Sequence, residues 1–242
     1  MIKDHQSPHF ARDVTRRIRR GKRALAFNSL KGEGGELRVE SALEKNVGLL
    51  LEADPRVKSY TAQPFTLEII SNTLLLTKDD YKKRAGVTPS FYTPDFRCVM
   101  ADGSLIAVDA KHSSFIEKFE EKRPAIEACF YQHGIRFLIV PDTAVSKAMI
   151  ANMSCLHNLR ADFLKAFRDQ ATQELESALA IKPQWPMFEL AALLTGGKAA
   201  VLAGILSGTL AADLNISLFT AQSTVSAAHG DLSHFKLLGL GQ

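Results

Sequence analysis

YTPDFRCVMADGSLIAVDAK, residues 92–111, is the stretch on which the fold of this chain turns. Its halves, 92–100 and 104–112, are rich in apolar and β-branched residues, and Ala101-Asp102-Gly103 separates them. That pattern predicts a β-hairpin. Side chains alternate faces along a strand, so Asp109 and Lys111 point the same way. The direction of Asp95 depends on the turn. A two-residue Asp102-Gly103 turn pairs Asp95 with Ala110 and faces it away from Asp109. A three-residue connection, Ala101 to Gly103 with Gly103 left-handed, pairs Met100 with Ser104 and sets Asp95 opposite Asp109. The odd-length connection, or an equivalent bulge, is predicted.

Two carboxylates in cross-strand contact, roughly 5 Å apart, repel one another. A divalent cation removes that penalty, and all-oxygen ligands suit Mg²⁺ or Mn²⁺ rather than zinc. Such an ion turns bound water into a nucleophile and neutralises charge on phosphate. Lys111 is then placed to orient or deprotonate that water, or to pair with a phosphate oxygen. The competing interpretation is a cross-strand salt bridge on a solvated sheet face, a common use of Asp-x-Lys. Thr93-Pro94 before Asp95, together with the hairpin spacing, favours the metal pocket.

A third acid is expected from a helix before these strands. Residues 35–53 (GELRVESALEKNVGLLLEA) carry Leu43, Val47, Leu50 and Leu51 on one side at helical spacing. Glu36, Glu40 and Glu44 then follow one another at i, i+4, a like-charge row that costs helix stability. Glu40 falls nearer the apolar centre and Glu44 at its boundary. Periodicity leaves the choice between them open.

Five separated segments agree in order: Glu40-Ser41-Ala42-Leu43-Glu44, Asp54-Pro55-x-Val57-x-Ser59-Tyr60, Gln63-Pro64-Phe65, Tyr92-Thr93-Pro94-Asp95-Phe96 and Val108-Asp109-Ala110-Lys111. This series resembles the N-terminal nuclease domain of the TnsA endonucleases, which serve heteromeric, TnsABC-type cut-and-paste transposons. The resemblance spans roughly residues 35–145. It implies a restriction-endonuclease-like mixed sheet flanked by helices. It also implies a catalytic, metal-holding set of Glu44, Asp95 and Asp109, with Lys111 as the lysine and Mg²⁺ or Mn²⁺, two ions, as cofactor. Gln63 in the recurring Gln-Pro is weighed as structural or near the site. By the same resemblance the partners are double-stranded DNA at the transposon ends, a TnsB-like DDE transposase and a TnsC-like AAA+ ATPase regulator. The implied role is cleavage of the 5′ ends of the element.

The 242 residues, 46% hydrophobic, suffice for one large or two small domains. No run of about eighteen apolar residues is present, so no membrane span is expected, and MIKDHQSPHF lacks the apolar stretch of a signal peptide. Cys98, Cys129 and Cys155 are odd in number and are read as reduced, mostly buried thiols of a cytoplasmic protein. No Cys/His cluster has zinc spacing.

The net charge of +4 is unevenly spread. Residues 12–23 (RDVTRRIRRGKR) hold seven Arg or Lys against one Asp. Arg16, Arg17, Arg19, Arg20, Lys22 and Arg23 are the expected DNA-binding residues of a basic arm, residues 1–34, with a solvated terminus as the alternative. Lys82-Lys83-Arg84 is either part of the DNA path or a plain loop. Residues 114–133 are predicted helical, kinked or divided at Pro124, and 136–140 form a short buried strand.

The nuclease domain is placed at 35–145 and a helical C-terminal domain at 146–242. In the latter, 145–181 is one or two helices and Lys182-Pro183-Gln184-Trp185-Pro186 is linker-like. Short segments between Gly196-Gly197, Gly204, Gly208 and Asn215 resemble a small all-α helix-turn-helix or winged-helix module. The series Gly208–Leu214 resembles the TnsA C-terminal domain more weakly. Residues 186–242 hold few Arg or Lys, which suits protein contact over DNA reading. The rival functions are a stand-alone restriction-like or repair nuclease and a non-catalytic transposition adaptor that only binds DNA and partners.

Overall fold

The computed structural model describes Ala11, residues 24–159 and residues 163–241, the side chains of 163–168 excepted. The protein is mixed α/β and divides into two compact units. Of the described residues, the first takes those up to Glu52, Arg56–Ala144 and those from Gly239; the second takes Ala53–Pro55 and those within Val145–Leu238.

The first unit opens with a hairpin of β1 (Leu25–Asn28) and β2 (Glu36–Val39). Period-two alternation buries Phe27, Leu37 and Val39 and exposes the residues between. Two expectations change here. Residues 25–28 belong to a sheet and not to an arm, and 36–39 form a strand where a single helix over 35–53 was predicted. The helix α1 (Ala42–Ala53) starts at Ser41, whose hydroxyl accepts from Glu44 N at 3.1 Å while its carbonyl accepts from Lys45 N at 3.1 Å. Glu36, Glu40 and Glu44 therefore do not share one helix face.

A four-stranded sheet follows, built from β3 (Val57–Ala62), with β4 (Thr66–Glu68), β5 (Thr73–Leu75) and β6 (Phe91–Tyr92) diverted into a separate three-stranded sheet. The larger sheet is completed by β7 (Phe96–Met100), β8 (Leu105–Lys111) and, after α2 (Ile116–Glu120) and α3 (Arg123–Gln132), β9 (Ile135–Pro141). Its order is β3-β7-β8-β9, antiparallel twice and then parallel. A parallel step cannot be closed by a tight turn, which is why α2 and α3 lie between β8 and β9. Pro124 falls in the first turn of α3, where no N–H is required, and divides the predicted 114–133 helix.

The sheet is buried on both faces. Phe96, Cys98, Ile106 and Val108 are fully covered on one face, where Tyr60 packs edge-on to Phe96 and donates its hydroxyl to the Gly48 carbonyl of α1. Ala107, on the other face, joins Phe65, Leu67, Ile126, Cys129, Phe130 and Ile135. The residues from Gly239 belong to this unit and not to the C-terminal one. Leu240 is buried, its carbonyl accepts from Arg136, and the Gly241 carbonyl accepts from Arg56, each at 2.8 Å.

The second unit comprises α4 (Lys147–Leu159), α5 (Phe163–Ile181), β10 (Gln184–Pro186), α6 (Met187–Leu193), α7 (Gly197–Ser207), β11 (Leu210–Ala212) and β12 (Thr224–Ala227). It is not all-α, because β10, β12 and β11 form an antiparallel sheet in that order. The linker-like Lys182–Pro186 is largely strand. Trp185 anchors it by donating its indole N–H to the Ala178 carbonyl at 3.1 Å. The helices α6 and α7 meet at 113°. Ala200 through Ile205 of α7 are all buried, with α4, α5, α6 and β11 packed against it. At Gly204 the approach is so close that a Cβ would lie 2.6 Å from Leu175 Cδ1 of α5. Among the described residues no single helix is long and apolar enough to cross a membrane. Cys98 and Cys129 are buried and Cys155 is exposed, all as free thiols.

Candidate active site

The geometry begins at the β7–β8 turn. Met100 N donates to Ser104 O at 2.9 Å, Gly103 N donates to Met100 O at 3.0 Å, and Gly103 has φ +85°. Only glycine adopts that conformation at little cost. The connection is the three-residue one, and the ladder runs Val99↔Leu105, Cys98↔Ile106, Arg97↔Ala107 and Phe96↔Val108. One further step sets Asp95 opposite Asp109, in the closely spaced, non-hydrogen-bonded type of antiparallel pair.

Pro94 explains where the ladder stops. It has no N–H to give, so the next backbone pair cannot form. The Asp95 side chain replaces it, with Oδ2 accepting from Ala110 N at 2.8 Å. The Asp95 carbonyl accepts from Gln63 N at 2.7 Å, and Gln63 is held at φ +45°. The predicted continuous strand 92–100 is thus broken. Phe91 and Tyr92 pair with β4 in the other sheet, and Thr93-Pro94 step the chain between the two.

Glu44 reaches the same place from the first turn of α1. It is buried, and its Oε2 accepts from Glu40 N at 2.8 Å. Burial lifts its pKa above the ordinary carboxylate value, and the charges of Glu40 and Asp109 lift it further. Asp95 is raised well above its ordinary value, first by burial, then by Asp109 and Glu44, against the opposing help of Ala110 N–H and Lys111. Like charges a few ångströms apart, sheltered from water, have this effect on one another. Glu40 lies just before the helix, where it contributes its backbone N–H and its charge to Glu44.

Asp109 is 4% exposed. Its Oδ2 lies 2.6 Å from Lys111 Nζ, an ion-pair distance, yet among the described residues no donor is aligned on that oxygen as a hydrogen bond. The Lys111 ammonium also sits 4.3 Å from the ring centre of Phe119 on α2. An Asp-Lys ion pair is therefore present, but along one strand and not across two as the competing interpretation had it. It differs from a surface pair in being shielded and in having two further carboxylates within electrostatic reach.

The donor chemistry fits a hard divalent ion: carboxylate oxygens, one of them buried without a directed donor. The side chains are not drawn together around a point, since among the described residues no group of three or more His, Cys, Asp or Glu stands in ligating geometry. Arg16, Arg17, Arg19, Arg20, Lys22 and Arg23 lie outside the described residues. Lys82, Lys83 and Arg84 are exposed in the segment between β5 and β6, and Lys118 and Lys122 are exposed on and just after α2.

Two features escaped the sequence reading. Phe119, on α2, gives no signal through spacing or composition. His112, directly after Lys111, has Nε2 3.0 Å from Asp142 Oδ2, and Ser113 N donates to Asp142 Oδ1 at 2.8 Å. The parallel register Lys111↔Pro141 puts residues 112 and 142 side by side, a pairing visible only once β8 and β9 are known to be neighbours. Gln63 is 2% exposed, with an Oε1 that has no hydrogen-bond partner among the described residues. A scan against protein-family models finds no match to the chain, and a search of the curated proteins finds none either.

Proposed function

We propose that the first unit is a metal-dependent DNA endonuclease of the restriction-endonuclease-like kind, working as the TnsA-like subunit that cuts the 5′ ends of a transposon. The observation that carries this is the buried Asp109–Lys111 pair at the end of the β7–β8 hairpin away from its turn, with Asp95 and Glu44 within electrostatic reach of Asp109. A mixed sheet with helices on both faces is the scaffold such a site requires, and it supports the assignment without deciding it.

Glu44, Asp95 and Asp109 would hold Mg²⁺ or Mn²⁺. When bound, the ion supplies charge neutralisation at phosphate and lowers the pKa of a bound water. The rest falls to the chain. Asp95 is locked in orientation by Ala110 N–H. Lys111 Nζ, an ammonium with three donors, is placed to orient the attacking water or to hold a phosphate oxygen. Asp109, tied to Lys111, keeps that ammonium at the carboxylates.

For the second unit we propose protein docking. The order β10-β12-β11, with α5 before β10 and with α6 and α7 between β10 and β11, supports a winged-helix arrangement. In such modules the third helix reads DNA, but here α7 is buried along Ala200–Ile205. Lys198 and Lys236 are the only Lys or Arg after residue 186. A regulator ATPase and a DDE transposase are the partners proposed, with sequence specificity supplied by the transposase.

The closed Lys111–Asp109 pair favours one alternative, a non-catalytic adaptor that retains the pocket as a structural ion pair. Reconstitution decides between them. The chain with its cognate transposase, transposon-end DNA and Mg²⁺ is expected to cut 5′ ends, and Asp95→Asn is expected to bind without cutting. Equal cleavage by Asp95→Asn would remove the site assignment. Robust cutting by the isolated chain would point instead to a stand-alone nuclease.

A further inference from the structure

We infer that Phe119 is a positioning residue for Lys111, its ring holding the lysine ammonium beside the carboxylates. The inference rests on the nuclease proposal for its functional meaning and on geometry for its existence. Lys111 Nζ lies between two surfaces, the Asp109 carboxylate at 2.6 Å and the Phe119 ring at 4.3 Å. A cation over an aromatic face is attracted by the negative charge of that face. The contact therefore narrows the positions open to a long, flexible side chain.

The ring is itself held. Its centroid is 5.8 Å from Tyr92 and 6.3 Å from Phe137, and Tyr92 lies in turn 5.7 Å from Phe137 and 6.1 Å from Phe130. Tyr92 stands three residues before Asp95 in the same segment, and Phe137 lies on β9 beside β8. The aromatic group thus ties the position of Lys111 to both strands of the site and to α2. It also gives Tyr92 and Phe119 a task that core packing alone does not. If Asp109 were to hold a divalent ion, the ring would still keep the ammonium beside the carboxylates instead of releasing it to solvent.

The test uses the full chain in two measurements. In the first, the Lys111 ε-methylene signals of isotope-labelled, metal-free protein are assigned with Lys111→Ala. They are expected to show an aromatic ring-current shift that Phe119→Tyr keeps and Phe119→Leu abolishes. Signals indifferent to Phe119→Leu overturn the inference whether or not the protein cuts DNA. In the second, single-turnover cleavage with the cognate transposase is followed for Phe119→Tyr, Phe119→Leu and a trifluorinated phenylalanine at 119, which keeps the outline of the ring but removes its negative face. Cleavage is expected to fall about 2- to 30-fold with the fluorinated ring and with Leu, at unchanged DNA affinity, and to be restored by Tyr. A ring-current shift together with cleavage that ignores fluorination overturns the positioning role. If wild type shows the shift but cuts no DNA with its partner, the contact stands and the nuclease proposal falls.

Discussion

The two ends of α1 each bury a glutamate, and the two are treated in opposite ways. Glu52, in the last turn, is 1% exposed and surrounded by donors: Leu30 N at 3.1 Å, the Tyr60 hydroxyl at 3.1 Å and the Ser29 hydroxyl. Glu44, in the first turn, is 8% exposed; it takes Glu40 N–H and help from Ser41, but also feels the carboxylates of Glu40 and Asp109, and the balance with burial leaves its pKa raised. A buried acid supplied with donors is mortar, here joining the end of β1, α1 and β3. A buried acid supplied with other acids costs stability, and a protein keeps such an arrangement where function needs it. Burial alone does not separate the two cases; the identity of the neighbours does.

The sharpest break to this contrast is chemical. Asp95→Asn retains an acceptor for Ala110 N–H, so the hairpin stays intact. Cleavage in the reconstituted complex is nevertheless expected to drop by at least about a thousandfold, and Lys111→Ala should do the same. End-labelled transposon DNA resolved on denaturing gels reads both. The next effect is on stability, with opposite signs at the two ends. Glu52→Ala leaves Leu30 N–H and the Ser29 hydroxyl without this acceptor and is expected to cost about 3 kcal/mol in urea unfolding. Glu44→Gln is expected to be neutral or stabilising by about 1 kcal/mol while removing activity. Equal losses at both positions would dissolve the distinction.

A pH series sharpens it further. Asp95 and Glu44 both bind protons more readily in the folded chain than in the unfolded one. Their contribution to stability is full below the ordinary carboxylate values of 3.8 and 4.5, and is lost as pH rises through the elevated ones. Without divalent ions, the melting temperature of wild type relative to Asp95→Asn is therefore expected to fall as pH climbs from about 4 towards neutrality. Added Mg²⁺ is expected to cancel that fall in wild type. The smallest effect belongs to Ser41→Ala. Loss of this helix cap is expected to cost about 1 kcal/mol by thermal melting, with a modest loss of cleavage because Glu44 loses its anchor.

How much of this was legible depended on whether the signal was local. The hairpin was readable because a turn carrying Gly103 and two alternating strands are short-range features, and the register followed from counting. The start of α1 was misplaced because Glu36-Leu37-Arg38-Val39 satisfies a helical pattern as well as a strand one over so few residues. The capping role of Ser41 settles it, and that role needs the downstream helix to be real. β10 read as a linker because its partner, Thr224–Ser226, lies about forty residues away. The same holds within the site. Asp95, Asp109 and Lys111 share one hairpin and announced themselves, whereas Phe119 and the His112–Asp142 pair depend on where β9 and α2 return.

The hydrogen bond from Ala110 N to Asp95 Oδ2, at 2.8 Å, makes the backbone a witness to the charge of the pocket. An amide proton bound to a carboxylate resonates far downfield and moves when that carboxylate gains a proton or shares its electrons with a cation. The Ala110 amide is thus a resident spectroscopic probe. A single cross-peak followed through acid would report the ionisation of Asp95, and followed through Mg²⁺ titration it would test whether the proposed ion binds, without DNA, partner or turnover.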